Sequence, residues 1–285
     1  MVLKLFFIFY FSLFTFAYAV ETPKRIVSLA PSMTEILFEL GLEDNIIGVT
    51  NYCDYPERAK QKAKIGGMSN PSLEAVVALK PDIVVMTTDG NPREFEERLR
   101  LLKIKTYVFK ARRLAELPDG IRKLGISLGV KEKADVLAKE IETTLTKFRS
   151  QKPVGATLSG DPYREVRSRK KKTLFIVWPE PLIVAGPGTA IDDVINLLGY
   201  ENIASKAKST YPKYSIEEVI RQSPDIIFIG RQMGRDIREV SSGLLQKITN
   251  VPAVKNNKIF YVGDNLYRMG PRAVKGIEEI SECLK

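Results

Sequence analysis

Two stretches of the chain, residues 72–84 (SLEAVVALKPDIV) and 215–227 (SIEEVIRQSPDII), repeat one pattern and decide the fold. Each predicts a short helix capped by its serine, Ser72 or Ser215, since a hydroxyl accepts a hydrogen bond from a free N–H of the first turn. The shared proline ends that helix. The apolar run that follows is typical of a parallel strand covered on both faces. The chain therefore contains two similar halves.

The segments around these stretches repeat as well. Each half opens with a strand and a helix that stops at a glycine, and each adds a strand after the repeated stretch. These segments are residues 25–30, 34–40 and 105–109 in the first half, and 174–177, 191–198 and 258–262 in the second. Alternating strands and helices favour parallel sheets. We expect an α/β fold of two lobes, each with a parallel-rich sheet flanked by helices.

A single long linker helix is predicted between the lobes, over Lys131–Ser150. Its apolar residues recur at helical spacing, with charged residues between them. Twenty residues make a helix of about 30 Å, long enough to join two lobes and to limit hinge motion. The predicted organisation is a signal peptide (1–19), an N-terminal lobe (20–117), a connecting segment with the linker helix (118–150), a basic loop (151–172) and a C-terminal lobe (173–285).

The first residues have the pattern of a secretory signal peptide. Lys4 precedes an apolar run at residues 5–16, and the sequence Ala-Tyr-Ala at 17–19 provides a cleavage site. The run is too short to span a bilayer as a helix, although a membrane anchor or a buried strand is the alternative. We expect an exported chain, cleaved near Ala19, that does not span the membrane afterwards. Export argues against a nucleic-acid partner, so the basic loop is interpreted as solvated.

Composition excludes several kinds of site. The 285 residues carry a net charge of +10 and contain no histidine, which rules out His-based triads, HExxH zinc proteases and His-ligated metals. The two cysteines, Cys53 and Cys283, cannot form a disulfide framework or a Cys-only zinc cluster. They lie in opposite halves, so we expect two separate thiols.

An exported chain with two α/β lobes and one linker helix resembles the periplasmic substrate-binding proteins of cobalamin and ferric-siderophore ABC importers. Residues 25–35 (RIVSLAPSMTE) are similar to that family's first strand and helix. The segments that resemble its cobalamin branch are 52–56 (YCDYP), 66–74 (GGMSNPSLE), 181–182 (PL), 185–189 (AGPGT) and 201–203 (ENI). The resemblance implies a periplasmic protein that captures cobalamin between its lobes and delivers it to an importer, with no catalysis and no cofactor.

The resemblance also implies a set of ligand contacts. They are Tyr52, Gly67 and Met68 from the first lobe, and Trp178, Tyr211, Asp264 and Arg268 from the second, the last two at positions that contact amide arms. Purely structural roles are the alternatives. Met68 would belong to the core, Trp178 would pack internally, and Asp264 and Arg268 would form an exposed ion pair of about 0.5 kcal/mol or less. Residues 186–189 are interpreted as a tight turn near the ligand.

Glu74 and Glu217 occupy equivalent positions of the repeat. A local role is available, because an acid in the first turn of a helix interacts favourably with the helix dipole by about 0.3–1 kcal/mol. In the family that the chain resembles, one glutamate on each lobe docks onto arginines of the membrane permease. Equivalent acids on two lobes suit a two-fold permease dimer.

Some positions depart from the cobalamin branch. Met68 and Thr87 stand where those proteins carry tryptophan, and Leu198 stands where a disulfide partner of Cys283 is expected. The alternative ligands are a ferric siderophore, which the positive net charge favours, and haem, whose axial ligand would be tyrosine in a chain without histidine. A chelatase-like enzyme is disfavoured by the signal peptide, the absent histidine and the unclustered cysteines.

Overall fold

The computed structural model describes residues 21–88, 90–150, 169–231 and 237–285. The predicted signal peptide, 1–19, and most of the predicted basic loop lie outside them.

The strands are β1 (Ile26–Ser28), β2 (Ile46–Val49), β3 (Ala63–Lys64), β4 (Ile83–Thr87), β5 (Thr106–Phe109), β6 (Lys172–Pro179), β7 (Leu182–Val184), β8 (Glu201–Asn202), β9 (Ile226–Gly230) and β10 (Ile259–Val262). The helices are α1 (Pro31–Glu39), α2 (Leu73–Ala78), α3 (Arg93–Leu101), α4 (Leu117–Ser127), α5 (Lys131–Ser150), α6 (Ala190–Leu197), α7 (Ile216–Gln222), α8 (Ile237–Lys247), α9 (Pro252–Lys255) and α10 (Ala273–Cys283).

The two halves form separate sheets. The first has the order β3-β2-β1-β4-β5, and all its described pairings are parallel. In the second, β10, β9 and β6 are parallel neighbours, and the far edge of β6 pairs with β8 in parallel and with β7 antiparallel. The two-lobed fold with parallel-rich sheets is confirmed. The hairpin with β7 extends β6 beyond the strand predicted at 174–177.

The repeated stretches are equivalent in structure. The hydroxyl of Ser72 accepts a hydrogen bond from the N–H of Ala75, and that of Ser215 accepts one from the N–H of Glu218. In each half, the aspartate that follows the proline of the repeat accepts a backbone hydrogen bond at the start of the neighbouring strand, β1 or β6. A carboxylate oxygen of Asp82 accepts from the backbone N–H of Arg25 at 2.9 Å, and one of Asp225 accepts from that of Lys172 at 2.7 Å. The repeat therefore joins helix, turn and neighbouring strand in both halves.

Helix α5 has the predicted bounds, Lys131–Ser150, and connects the halves through the core. Its buried residues belong to a hydrophobic cluster that includes Met33 of the first half and Phe175 and Ile277 of the second. Helices α4 and α10 both pack against α5. A shared apolar core along α5 thus holds the halves together. Within the described ranges, no helix is both long and apolar enough to cross a membrane.

Candidate functional site

A cavity of about 1080 Å³ lies between the two halves. Its wall is formed at the carboxyl ends of β1, β4 and β5 in the first half, and by the start of α6 and the loop after β10 in the second. Ligands of α/β sheets bind at this end of parallel strands. The volume is slightly above the usual range for small-molecule pockets and suits a bulky ligand.

The first half presents Met68 to the cavity through a hydrogen-bonded loop. The side-chain amide of Asn91 donates to the carbonyl oxygens of Met68 and Leu29, each at 2.9 Å, and its oxygen accepts from the N–H of Thr87 at 2.8 Å. Gly90 has a φ of +92° and lacks a Cβ. A Cβ at this position would collide with the methyl group of Met68, so the glycine leaves room for that side chain. Met68 both lines the cavity and packs against the core; its contact with a ligand stays a prediction.

The second half contributes the tight turn predicted at residues 186–189. Thr189 caps α6, because its hydroxyl accepts from the N–H of Asp192 at 3.1 Å and donates to the carbonyl of Gly186 at 2.9 Å. A Cβ at Gly186 would lie 2.6 Å from the carbonyl oxygen of Ser209, so the turn requires glycine there. The turn places Thr189 in the cavity wall, and Thr210, whose carbonyl accepts a hydrogen bond from the N–H of Gly186 at 2.8 Å, also lines it.

Ion pairs cross between the halves at one side of the cavity. Arg268 lies 3.0 Å from Glu35 and 2.8 Å from Asp54, both of the first half. Arg272 lies 3.2 Å from Glu35 and 3.1 Å from Asp264. Asp264 and Arg268 therefore pair with other residues rather than with each other. The alternative of an exposed Asp264–Arg268 pair is wrong, since the side chain of Arg268 is only 19% exposed.

Burial and charge act against each other in this network. Burial raises the pKa of Glu35 and outweighs the opposing charges of Arg272 and Arg268. Burial is also the largest influence on Asp54, but the hydrogen bond and charge of Arg268 together lower the pKa of that carboxyl. Burial would lower the pKa of Arg268, yet its two carboxylate partners together raise it. The arginine is thus held in its charged form against Asp54.

A second ion pair crosses between the halves at another part of the wall. Arg113, which lines the cavity, pairs with Asp193 of α6. The other oxygen of Asp193 accepts a hydrogen bond from the N–H of Leu114 at 2.8 Å. Asp193 is 7% exposed, and its hydrogen bond and charge raise the pKa of Arg113. Two sets of contacts between the halves thus flank the cavity, and the limit on hinge motion stays a prediction.

The structure brings most of the predicted ligand contacts together. The cavity wall includes Tyr52, Met68, Tyr211, Asp264 and Arg268. Tyr52 and Tyr211 are 64% and 45% exposed and line the same cavity, one from each half. Contact of these side chains with a ligand stays a prediction.

Gly67 and Trp178 are not among the described residues that line the cavity. A Cβ at Gly67 would meet the side chain of Asn70, so this glycine serves the local turn. Trp178 belongs to the β6–β7 hairpin, where its indole N–H donates to the carbonyl of Glu180. The structure therefore does not bring these two residues into the described wall of this cavity, and their contact with a ligand stays a prediction.

Sequence reasoning missed the residues that position the wall, among them Glu35, Asn91 and Asp193. Glu35 lies beside Met33, Ile36 and Leu37 in α1, and an acid among these apolar residues was the available signal; the structure leaves it 2% exposed. Sequence reasoning also missed Tyr267, whose buried hydroxyl lies in the space left by Gly230 and has no hydrogen-bond partner among the residues that the structure describes. Burial raises the pKa of that phenol.

The described residues contain no group of three or more acidic, cysteine or histidine side chains placed to bind a metal ion. Cys53 and Cys283 are both free, as the sequence predicts. Two hydroxyl groups contact Cys53, since its sulfur lies 3.1 Å from the oxygens of Thr34 and Thr50.

Two similar α/β halves around a shared cleft define a binding protein of the two-lobed class. The chain belongs to the periplasmic binding protein family, whose pattern it matches over residues 26–266. It is 30% identical over 262 residues to the vitamin B12-binding protein of Vibrio campbellii, which covers 91% of this chain and 88% of that one.

Solved structures show the same likeness. The periplasmic vitamin B12 binding protein BtuF of Vibrio cholerae superposes with a TM-score of 0.76 at 26% identity, covering 92% of this chain and 96% of that one. The periplasmic heme-binding protein RhuT from Roseiflexus sp. RS-1, in apo form, also has a TM-score of 0.76 at 26% identity, covering 92% and 97%. The fold is shared by relatives named for different ligands.

Proposed function

We propose that this protein captures cobalamin in the cleft between its halves and delivers it to an ABC importer. The observation that carries the proposal is the cavity of about 1080 Å³ with side chains of both halves in its wall. Its relatives support the choice of ligand, since the Vibrio campbellii protein at 30% identity is named for vitamin B12. No chemical step is assigned to the protein.

The wall offers contacts of the kinds that a corrinoid requires. Tyr52 and Tyr211 supply exposed aromatic surfaces, one from each half, for the two faces of the corrin ring. Met68 supplies an adaptable apolar contact. Around them, Thr87 and Thr210 offer hydroxyl groups to the amide arms, and the partly exposed carboxylate of Asp264 offers an acceptor.

The contacts between the halves favour capture without a large closure. Glu35 is shared by Arg268 and Arg272, and Asp193 binds both the side chain of Arg113 and the backbone of Leu114. A site that is already ordered loses less conformational entropy when its ligand binds. We therefore assign recognition to a preformed cleft rather than to a hinge.

Delivery to the importer is assigned to Glu74 and Glu217. The pKa of each carboxyl is lowered, first by a backbone hydrogen bond in the first turn and then by the hydroxyl of its capping serine. Both groups are therefore charged on the surface of their lobes. Glu74→Arg and Glu217→Arg should each reduce uptake while ligand affinity is unchanged, and normal transport by the double variant would contradict this role.

Export belongs to the same proposal. We assign residues 1–19 to a signal peptide that is removed on the way to the periplasm, and the family to which the chain belongs is periplasmic. Amino-terminal sequencing of protein recovered from a periplasmic extract should begin near Val20. A chain that retains Met1 in the membrane fraction would contradict cleavage.

Calorimetric titration tests the ligand. Purified protein spanning residues 20–285 should bind cyanocobalamin at one site, with haemin and a ferric siderophore run as competing ligands. Saturable binding of cyanocobalamin alone is the expected result. Absence of cyanocobalamin binding would overturn the proposal.

Haem is the second candidate. Tyr52, Tyr211 and Tyr267 all contribute to the cavity wall, and a tyrosine oxygen is an established axial ligand of haem iron. The likeness to RhuT, which is named for heme, adds to this. Saturable binding of haemin with a change in its visible absorption spectrum, lost in Tyr211→Phe or Tyr52→Phe, would favour haem over cobalamin.

A further inference from the structure

Two exposed aliphatic side chains occupy equivalent positions on the two lobes. Val77 on α2 is 39% exposed and Ile220 on α7 is 46% exposed. Both lie three residues after the repeated glutamate of their helix, Glu74 or Glu217. Isolated exposed apolar residues are ordinary on protein surfaces. Their recurrence at matching positions of an internal repeat requires a separate explanation.

The two helices present the same surface. In both, the positions of Glu74 and Val77, or of Glu217 and Ile220, are exposed, and the intervening Val76 or Val219 is buried. Residues three apart on a helix are neighbours on its surface. Each helix therefore carries a carboxylate beside a branched aliphatic side chain. We call Glu74 with Val77, and Glu217 with Ile220, the docking patches.

Local structure does not account for the aliphatic member of each patch. Val76 and Val219 are 0% and 1% exposed, so they already provide the contact between each helix and the core. Branched side chains are also less favourable in helices than alanine. The halves differ at the next exposed position, where Ala78 matches Arg221. What the two patches share is the acid and the aliphatic group.

Charge indicates what kind of partner covers the patches. Within the described residues neither Glu74 nor Glu217 has a cation within 4 Å, although the charge of the more distant Arg98 helps to lower the pKa of Glu74. Glu218 beside the second patch, by contrast, pairs with Arg221 at 2.7 Å. An unpaired carboxylate next to an apolar side chain complements a cation beside an apolar recess. Two such patches, one on each lobe, complement a partner with two equivalent subunits.

We propose that Val77 and Ile220 are binding contacts with the importer, each inserted into an apolar recess beside the cation that pairs with the neighbouring glutamate. The inference rests on the proposed delivery to an importer and adds an apolar component to it. Apolar centres with polar surroundings are typical of protein interfaces. Loss of both aliphatic groups should therefore weaken docking even when both carboxylates are present.

The test compares binding of the protein to the importer of the same cell, purified in nanodiscs. The double variant Val77→Ser/Ile220→Ser should raise the dissociation constant at least about tenfold, while cyanocobalamin affinity is unchanged. Val136→Ser on α5, where valine is 60% exposed outside the patches, is the matched control and should bind like the parent. If the serine variant unfolds, Val77→Thr/Ile220→Thr, which retains the branched shape, gives the same comparison.

The outcomes separate the two proposals. If the parent does not bind the importer, or if Glu74→Gln/Glu217→Gln binds as the parent does, delivery through the glutamates is wrong. If the glutamine variant is weakened and the serine and threonine variants bind like the parent, only the apolar contact is wrong. Weakening of Val136→Ser to the same extent would also overturn the inference, because the effect would not be specific to the patches.

Discussion

Arg268 and Glu35 join the two halves of the molecule, with the guanidinium Nη1 3.0 Å from Oε1 of the carboxylate although 233 positions separate them in the chain. Arg272 binds the other oxygen of Glu35 at 3.2 Å. The carboxylate is 2% exposed, so it depends on both arginines for its hydrogen bonds. The relative placement of the two cavity walls follows in part from this shared acid.

Removal of Arg268 should lower the stability of the fold, because the carboxylates of Glu35 and Asp54 both lose a partner. We expect Arg268→Met to lower the free energy of unfolding by about 3 kcal/mol, because the buried Glu35 keeps Arg272 alone and Asp54 loses its partner. Urea unfolding measures the loss. Arg93→Met is the control, because Arg93 forms an exposed pair with Glu97 that is worth about 1 kcal/mol or less. Equal losses in the two variants would refute the importance of the buried network.

Acid should weaken the contribution of Asp54. Its folded-state pKa is lowered, so the unfolded chain binds more protons between the two pKa values and stability rises with pH in that window. The stability from Asp54 is therefore present above its ordinary pKa of about 3.9 and is lost as the pH falls through the lower folded value. Unfolding measured from pH 3 to 6 should show a difference between the parent and Asp54→Asn that grows with pH. Exposed Glu94→Gln serves as the control, and a difference independent of pH would be inconsistent with this.

Asn91 should act on the ligand through the wall that it positions. Asn91→Ala removes the hydrogen bonds to Met68, Leu29 and Thr87, and we expect cyanocobalamin affinity to fall about tenfold, a free-energy change of about 1.4 kcal/mol. Asn45→Ala removes a single hydrogen bond to the carbonyl of Pro23, away from the cavity. That variant should lose stability without losing affinity. Calorimetry measures the cyanocobalamin affinity of both variants. Equal affinities of Asn91→Ala and Asn45→Ala would contradict the claim.

Tyr211 and Trp178 should behave differently in ligand binding. Tyr211 lines the cavity and is 45% exposed there, so Tyr211→Ala should reduce affinity at least about tenfold. Trp178 lies in the β6–β7 hairpin, and Trp178→Phe should change affinity by less than about twofold while losing about 1 kcal/mol of stability with its hydrogen bond to Glu180. Titration calorimetry distinguishes them. A larger effect from Trp178→Phe than from Tyr211→Ala would reverse the assignment.

The periodic parts of the fold were predictable. The repeated Ser-x-Glu and Pro-Asp pattern indicated two equivalent units, and the helical spacing of residues 131–150 gave the bounds of α5. Both signals are local, because capping, proline and apolar periodicity act within a few residues. The β6–β7 hairpin was missed, since the sequence near Pro181 does not distinguish the end of a buried strand from a reversal of the chain.

The site was predictable only where a motif carried it. Tyr52, Met68 and Tyr211 lie in the wall as the resemblance implied, and Gly67 and Trp178 do not. The partners of Glu35 and Asp193 could not be read from the sequence, because each ion pair joins residues far apart in the chain. Their partners are selected by the packing of one half against the other.

The sequence by itself determined two α/β units, the helix between them and one acid on an equivalent helix of each unit, because these features depend on short-range patterns. Only the tertiary structure decided which side chains meet in the cleft and which arginines bind Glu35. The reason is physical, since a buried charge acquires its partner from the surface packed against it. That surface comes from the opposite half of the chain.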